Sequence, residues 1–475
     1  MRRYLNIAFL FLAVVALGAQ APPALGPAVK PFVTVDAPLF ALAHVRVVDG
    51  TGSPAREDQT VVVSDGKILA LGDAAAVRVP PAAKILDMRG YTVIPGIVGM
   101  HDHIFYPAGP AHYNTLAFSA PRLYLACGVT TIRTTGSLEP VTELNLKKAI
   151  AQGCVPGPKI HVSSPYLEGP GAFTLQMHEL SGPDEARRMV QFWADQGVDD
   201  FKVYTNITSA ELAAAVDEVH KRGLKITGHL CSIGFREAAA LGIDDLEHGL
   251  VVDTEFVGGK KPDACPPAHE AREALLKLDV SGPEIQDTIR ELVAHKVAVT
   301  STLPVFEISV PGRPPLETRV LDAMAPEIRI LYLTQRARVG EAKDSLWPAL
   351  LKKEMEFERA FVKAGGLLIA GPDPTGYGGV VAGFGDQREI ELLVEAGFSP
   401  VEAIKIATFN GALYLGEQDR IGTLAAGKQA DMVLIKGDPA STIADIKKVE
   451  TVFKDGVGYD SAKLIEAARG TVGIR

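Results

Sequence analysis

Two histidines separated by one residue, His101-Asp102-His103, are the first side chains in this sequence that stand at metal-ligating spacing. On an extended backbone, residues i and i+2 share a face, so both imidazoles can grip one ion. Imidazole is the commonest metal ligand and suits borderline cations such as zinc. By itself such a pair is as readily two unrelated polar residues. Four more residues of ligating or proton-transfer type each close an apolar run: Lys202 in Asp200-Phe201-Lys202-Val203-Tyr204, His229 after Gly228, His248 after Leu246-Glu247, and Asp373 in Ala370-Gly371-Pro372-Asp373-Pro374. His229 or His248 taken singly would read as a satisfied core histidine. Their recurrence at the ends of successive apolar runs argues for one shared site.

Lys202 looks misplaced among cation ligands, because an ammonium repels metals. Its apolar flanks, Phe201 and Val203, favour the neutral amine. A neutral lysine can take up carbon dioxide, and the two oxygens of the carbamate can bridge two metals. Unmodified, Lys202 would instead imply a single-metal site or a plain salt bridge. Asp373 can ligate one metal and accept a proton from a bound water, whose pKa falls from 15.7 towards roughly 7 beside the ion. It can then return that proton to a leaving amine. A second ion, His229 or Tyr204 could polarise the scissile carbonyl.

The elements needed to bring these residues together are legible in the middle of the chain. Apolar runs close at Ile97–His101, Val129–Arg133, Lys159–Ser163, Phe201–Tyr204, Lys225–His229, Asp245–His248, Val297–Thr302 and Leu367–Asp373. Segments of helical period lie between most of them, including Pro183–Gln196 and Ser209–Arg222, the latter opened by the cap Thr208-Ser209-Ala210-Glu211. Eight strands alternating with helices predict an α/β fold, a (β/α)8 TIM barrel, whose function gathers at the C-terminal strand ends. Two long connections, 253–287 and 304–350, follow strand ends and are expected to act as lid or specificity loops.

Both ends of the chain read differently. Short alternating runs such as Ala43–Val48, Gln59–Val63 and Lys67–Leu71 are separated by Asp49-Gly50 and Asp65-Gly66. The tail repeats the pattern in Asp431–Ile435 and Val449–Phe453, with Lys454-Asp455-Gly456 as the turn. These runs predict a small β-sandwich domain built from both termini. The expected organisation is a signal peptide at 1–21, the first part of the β domain at 22–92, the barrel at 93–412 and the second part of the β domain at 413–475.

The chain has 475 residues, 47% hydrophobic and 22% charged, with a formal charge of −9. That is ordinary globular composition, and no basic cluster marks a nucleic-acid footprint. Arg2 and Arg3, the apolar run Ile7–Leu17 and the small-x-small stretch Ala19-Gln20-Ala21 describe a secretory signal. The run is shorter than the roughly 20 residues of a membrane span, so an exported protein, periplasmic or secreted, with no span after cleavage is expected. None of the four cysteines forms a CxxC pair. Cys127 and Cys231 lie beside core elements and are expected to be buried free thiols, although an exported protein could oxidise them. The expected partner is a small-molecule substrate, and self-association into a homo-oligomer stays open.

With these residues in place, the chain resembles the amidohydrolase superfamily, closest to its imidazolonepropionase-like and Xaa-Pro dipeptidase-like branch. The matching passages are Val93–His103, Gly128–Arg133, Phe201–Tyr204, Gly228-His229, Leu246–Gly249 and the tail Ile421–Val433. The resemblance implies His101, His103, carboxylated Lys202, His229 and His248 as ligands of a binuclear zinc-type centre, with Asp373 as both ligand and acid/base. Three departures stand out: Gly99 where the family usually has Asp, Thr134 rather than Asp after Arg133, and Gly371-Pro372-Asp373 in place of a Gly-Thr-Asp-like turn. Substrate contacts are expected from Tyr204, from His178 and from Arg133. Arg133 could pair with a carboxylate in bidentate fashion, or serve equally as a structural arginine. The expected reaction is hydrolysis of a C–N bond in a small amide such as a dipeptide or N-acyl amino acid; the alternatives are an ester or lactone hydrolase using the same site and a non-catalytic ligand-binding barrel.

Overall fold

The computed structural model describes residues 24–475, so the signal-type segment 1–21 lies outside the described residues. Eight parallel strands appear where the apolar runs predict them: Ile97–Gly99, Val129–Arg133, Lys159–His161, Phe201–Val203, Ile226–Gly228, Asp245–Glu247, Ala298–Ser301 and Leu368–Ala370. The first three form one parallel sheet and the last five another. Backbone hydrogen bonds join the two sheets at both edges. Between the third and fourth strands, Ser164 N donates to Asp200 O at 2.9 Å and Leu167 N to Lys202 O at 2.9 Å. Between the eighth and first, Met100 N donates to Ala370 O at 2.8 Å and Asp373 N to His101 O at 3.0 Å. That last approach requires glycine beside it, because a Cβ on Gly371 would lie 2.1 Å from His101 N.

Helices separate the strands as expected. Pro183–Gln196 is helical over the predicted range, and Ser209–Lys221 opens with Thr208 and Glu211 capping each other's backbone N–H groups. The apolar faces of strands and helices merge into one large core running from Ile97 through Phe201 and Leu246 to Phe357 and Leu393.

Strands from the two ends of the chain share a nine-stranded, largely antiparallel sheet. Tyr91–Pro95 pairs with Met432–Lys436, and Val33–Val35 pairs with Val457–Asp460. Two Asp-Gly turns adopt left-handed backbone at both residues, Asp65-Gly66 (φ 49° and 77°) and Asp455-Gly456 (φ 51° and 78°). This matches the twist of two-residue hairpins. The sheet has its own core, containing Phe40, Leu42, Val61, Met432 and Phe453.

Two expectations need correction. Cys231 is not a free thiol but forms a disulfide with Cys265, while Cys127 is buried and free. The long connections do not remain open loops. They fold into helices, among them Ala268–Leu276, Pro326–Gly340 and the start of Trp347–Lys363, because enough apolar residues recur at helical spacing to pack on the core.

Candidate active site

His101 and His103 follow the first strand and Asp373 follows the eighth, so the edge contact described above brings all three together. His103 Nε2 lies 3.3 Å and His101 Nε2 3.8 Å from Asp373 Oδ1. These three residues are buried and have the geometry to hold a metal ion. Neighbouring groups aim the imidazoles. His101 Nδ1 donates to Glu247 Oε2 at 2.6 Å, His103 Nδ1 donates to the Thr134 carbonyl at 2.9 Å, and His248 Nδ1 is hydrogen-bonded to Thr302 Oγ1 at 2.8 Å. Bonding at Nδ1 fixes the tautomer and leaves Nε2 as the ligating nitrogen, a recurring arrangement around metals.

His248 and Asp373 reach the site through left-handed backbone, with φ of 68° and 51°. Such conformations are uncommon for non-glycine residues and cluster at functional sites. On a regular strand Glu247 and His248 would face opposite sides. The change of hand at 248 turns its imidazole back towards the others, 4.6 Å from the His101 ring and 4.3 Å from that of His229.

Lys202 is fully buried in the same cavity, and its Nζ has no hydrogen-bond partner. The closest ion-pair contact recorded for it is Glu247 Oε1, at 3.6 Å. Burial pulls the ammonium below the ordinary lysine range. Burial likewise brings His229 down to about 3, keeping that imidazole neutral. Burial would raise the Asp373 carboxyl, but His101, His103 and His248 outweigh it and hold the group ionised. An ionised carboxylate, four imidazoles with a free nitrogen face and a buried amine without a partner are a donor set that suits divalent cations.

All six expected ligands line one cavity together with Tyr204. Two expected substrate contacts lie elsewhere. Arg133 is wholly buried beneath the site, donating to Met100 O at 2.8 Å, Asp245 Oδ2 at 2.7 Å and Glu247 Oε1 at 3.1 Å. Its guanidinium neutralises the acids that support His101, and Arg133 is not part of the cavity lining, so its one unpartnered nitrogen, Nη1, is buried away from a ligand. His178 is exposed and paired with Glu185 at 2.9 Å, outside the cavity. The cavity wall also comes from unexpected places. Phe105 and Tyr113 lie on a hairpin after the first strand, Tyr166, Phe173 and Met177 follow the third strand, and residues 253–287 and 304–350 supply none of the lining.

The missing Asp at position 99 is explained locally. A Cβ on Gly99 would fall 1.9 Å from Asp102 Oδ2 and 2.9 Å from Asp386 Oδ1, so two other carboxyls already occupy that space. Among side chains overlooked in the sequence, Glu247 had a readable signal. Asp245 and Glu247 alternate on one strand face, and acids on a buried strand require a partner.

Side chains able to hold a metal ion gather at the carboxyl ends of parallel strands, an arrangement suited to metal-assisted hydrolysis. Residues 92–458 match the amidohydrolase family, and the chain belongs to that family. The imidazolonepropionase of Herpetosiphon aurantiacus is 23% identical over 82% of this chain and 89% of its own length. A bottromycin amidohydrolase has a similar fold, with a TM-score of 0.70 at 21% identity over 94% of this chain and 95% of that one. A Xaa-Pro dipeptidase with methionine bound in its active site does so too, with a TM-score of 0.66 at 19% identity over 89% of this chain and 100% of that one. The protein is therefore a metal-dependent hydrolase acting on C–N bonds.

Proposed function

We propose that the chain hydrolyses small amides at a binuclear divalent-metal centre, zinc in type, held by His101, His103, Lys202, His229, His248 and Asp373, with Lys202 present as a carbamate. Lys202 carries this reading: its amine is buried beside the imidazoles, burial shifts it towards the neutral form, and it has no hydrogen-bond partner. A neutral amine adds carbon dioxide through nitrogen and releases one proton, giving a carbamate whose two oxygens share one negative charge and could each serve as a metal ligand. Divalent cations held there supply Lewis acidity, making water a stronger acid and polarising the scissile carbonyl.

The chain's own groups do the remainder. Asp373 takes the proton of the attacking water and passes it to the leaving nitrogen. His229 and Tyr204, whose rings lie 5.0 Å apart on one wall, are placed to orient the carbonyl oxygen. We read the ring of eight parallel strands as a closed (β/α)8 barrel over 93–412, with a β-sandwich from 22–92 and 413–475. The edge hydrogen bonds and the separate terminal core support that division. The Cys231–Cys265 disulfide supports export to the periplasm or beyond, since disulfides persist in oxidising compartments. Among the described residues no helix is long and apolar enough to cross a membrane.

Metal content by plasma mass spectrometry tests the centre. Two divalent ions per wild-type chain and at most one in Lys202→Ala are expected. Refilling of metal-stripped protein should be faster with bicarbonate. Uptake of one ion with no bicarbonate effect would overturn the carbamate-bridged pair.

A further inference from the structure

The wall of the active-site cavity is a closed circuit of rings. From His103 it runs to Phe105 (4.3 Å between centroids), Tyr113 (5.4 Å), Phe173 (6.1 Å), Tyr204 (5.8 Å) and His229 (5.0 Å). It returns through His248 (4.3 Å) and His101 (4.6 Å) to His103 (5.2 Å). Half of this circuit is the ligand set, and the other half is aromatic wall. Tyr166 packs edge-on behind Tyr204 at 4.8 Å, and Met177 completes the apolar side.

That wall is held in place before any ligand arrives. Thr174 Oγ1 donates to Ala111 O at 2.9 Å, and the Gln176 amide bonds both the N–H (2.9 Å) and the carbonyl (3.1 Å) of Tyr113. These bonds fasten the segment carrying Phe173 to the hairpin carrying Phe105 and Tyr113. Phe173 consequently keeps its place over the cavity although it is 45% exposed.

Charge is as telling as shape. Among the described residues lining the cavity, Lys202 is the only lysine or arginine and Asp373 the only carboxylate, and both belong to the metal centre. Arg133 is shut away beneath. A carboxylate on the non-reacting part of a substrate would lose its hydration against this wall and, away from the metal centre, meet no lysine or arginine. An uncharged ring would gain edge-to-face and stacked contacts on several sides.

Building on the hydrolase reading, we propose that the favoured substrates are amides bearing an uncharged aromatic ring next to the scissile bond, and that free dipeptides and N-acyl amino acids are disfavoured. N-acetylphenethylamine and N-acetylphenylalanine differ by a single carboxylate, and N-acetylbutylamine removes the ring. On the metal-loaded full chain, kcat/KM for the first should exceed each of the others by about tenfold, a difference of about 1.4 kcal/mol. Phe173→Ala should lower the aryl-to-alkyl ratio, acting mainly through KM. The inert sulfonamide analogues of the first two compounds, titrated calorimetrically, should bind in the same order. Preference for the acid in turnover or binding overturns the proposal and leaves the hydrolase reading intact. Failure to cleave any amide, with the neutral sulfonamide still bound more tightly, overturns the hydrolase reading and upholds the recognition.

Discussion

At the scale of single residues, the site depends on groups that never touch the ion. Glu247 accepts from His101 Nδ1 and receives Arg133 on its other oxygen, so one carboxylate links a ligand to the buried arginine. Its ionised form is set by competition: burial raises the carboxyl, while Lys202, His101 and Arg133 pull it well below the ordinary range. Glu247→Gln keeps the shape but weakens the hold on His101, and metal affinity should fall about 10- to 100-fold, as read by competition with a chelator. The candidate ligands were legible because histidines at strand ends are few and chemically distinctive. Arg133 was not assignable, because a strand-end arginine can face outward to a substrate or inward to acids. Only the positions of Asp245 and Glu247 decide between the two.

At the scale of elements, the seventh strand meets its helices through acids. Ser301 Oγ lies 2.6 Å from both Glu358 on Trp347–Lys363 and Glu389 on Phe384–Ala396, all buried. One hydroxyl hydrogen cannot serve two carboxylates, so one carboxyl keeps a proton of its own. Burial accordingly raises Glu358 to about 8. In the unfolded chain a glutamate titrates near 4.3. Between those values the folded state therefore holds the extra proton, and stability falls as pH rises. Urea unfolding should show the largest free energy near pH 4 to 5 from this group, declining towards pH 8, and Glu358→Gln should flatten the decline. Helix starts such as Thr208/Glu211 were readable from their capping boxes. The long connections were misjudged, since their length was visible but the surface against which their helices pack was not.

At the scale of the whole molecule, the terminal sheet closes only when residues far apart in sequence meet. Phe40 stacks on Phe453 with centroids 5.2 Å apart, one from each end of the chain. Both are fully buried, so Phe453→Ala should cost about 3–5 kcal/mol, measurable by denaturant unfolding, and should loosen strands at both termini together in hydrogen exchange. The order and spacing of apolar runs were enough to establish an α/β chain with eight parallel strands, a β region from both ends and the six residues of the candidate metal centre. These features follow from periodicity and residue chemistry, which are local properties. Tertiary structure alone decided that Cys231 pairs with Cys265, that Arg133 faces inward and His178 outward, and that Phe105, Tyr113 and Phe173 enclose the cavity. Each of those outcomes depends on which distant backbone comes alongside, and that is set by how the elements pack.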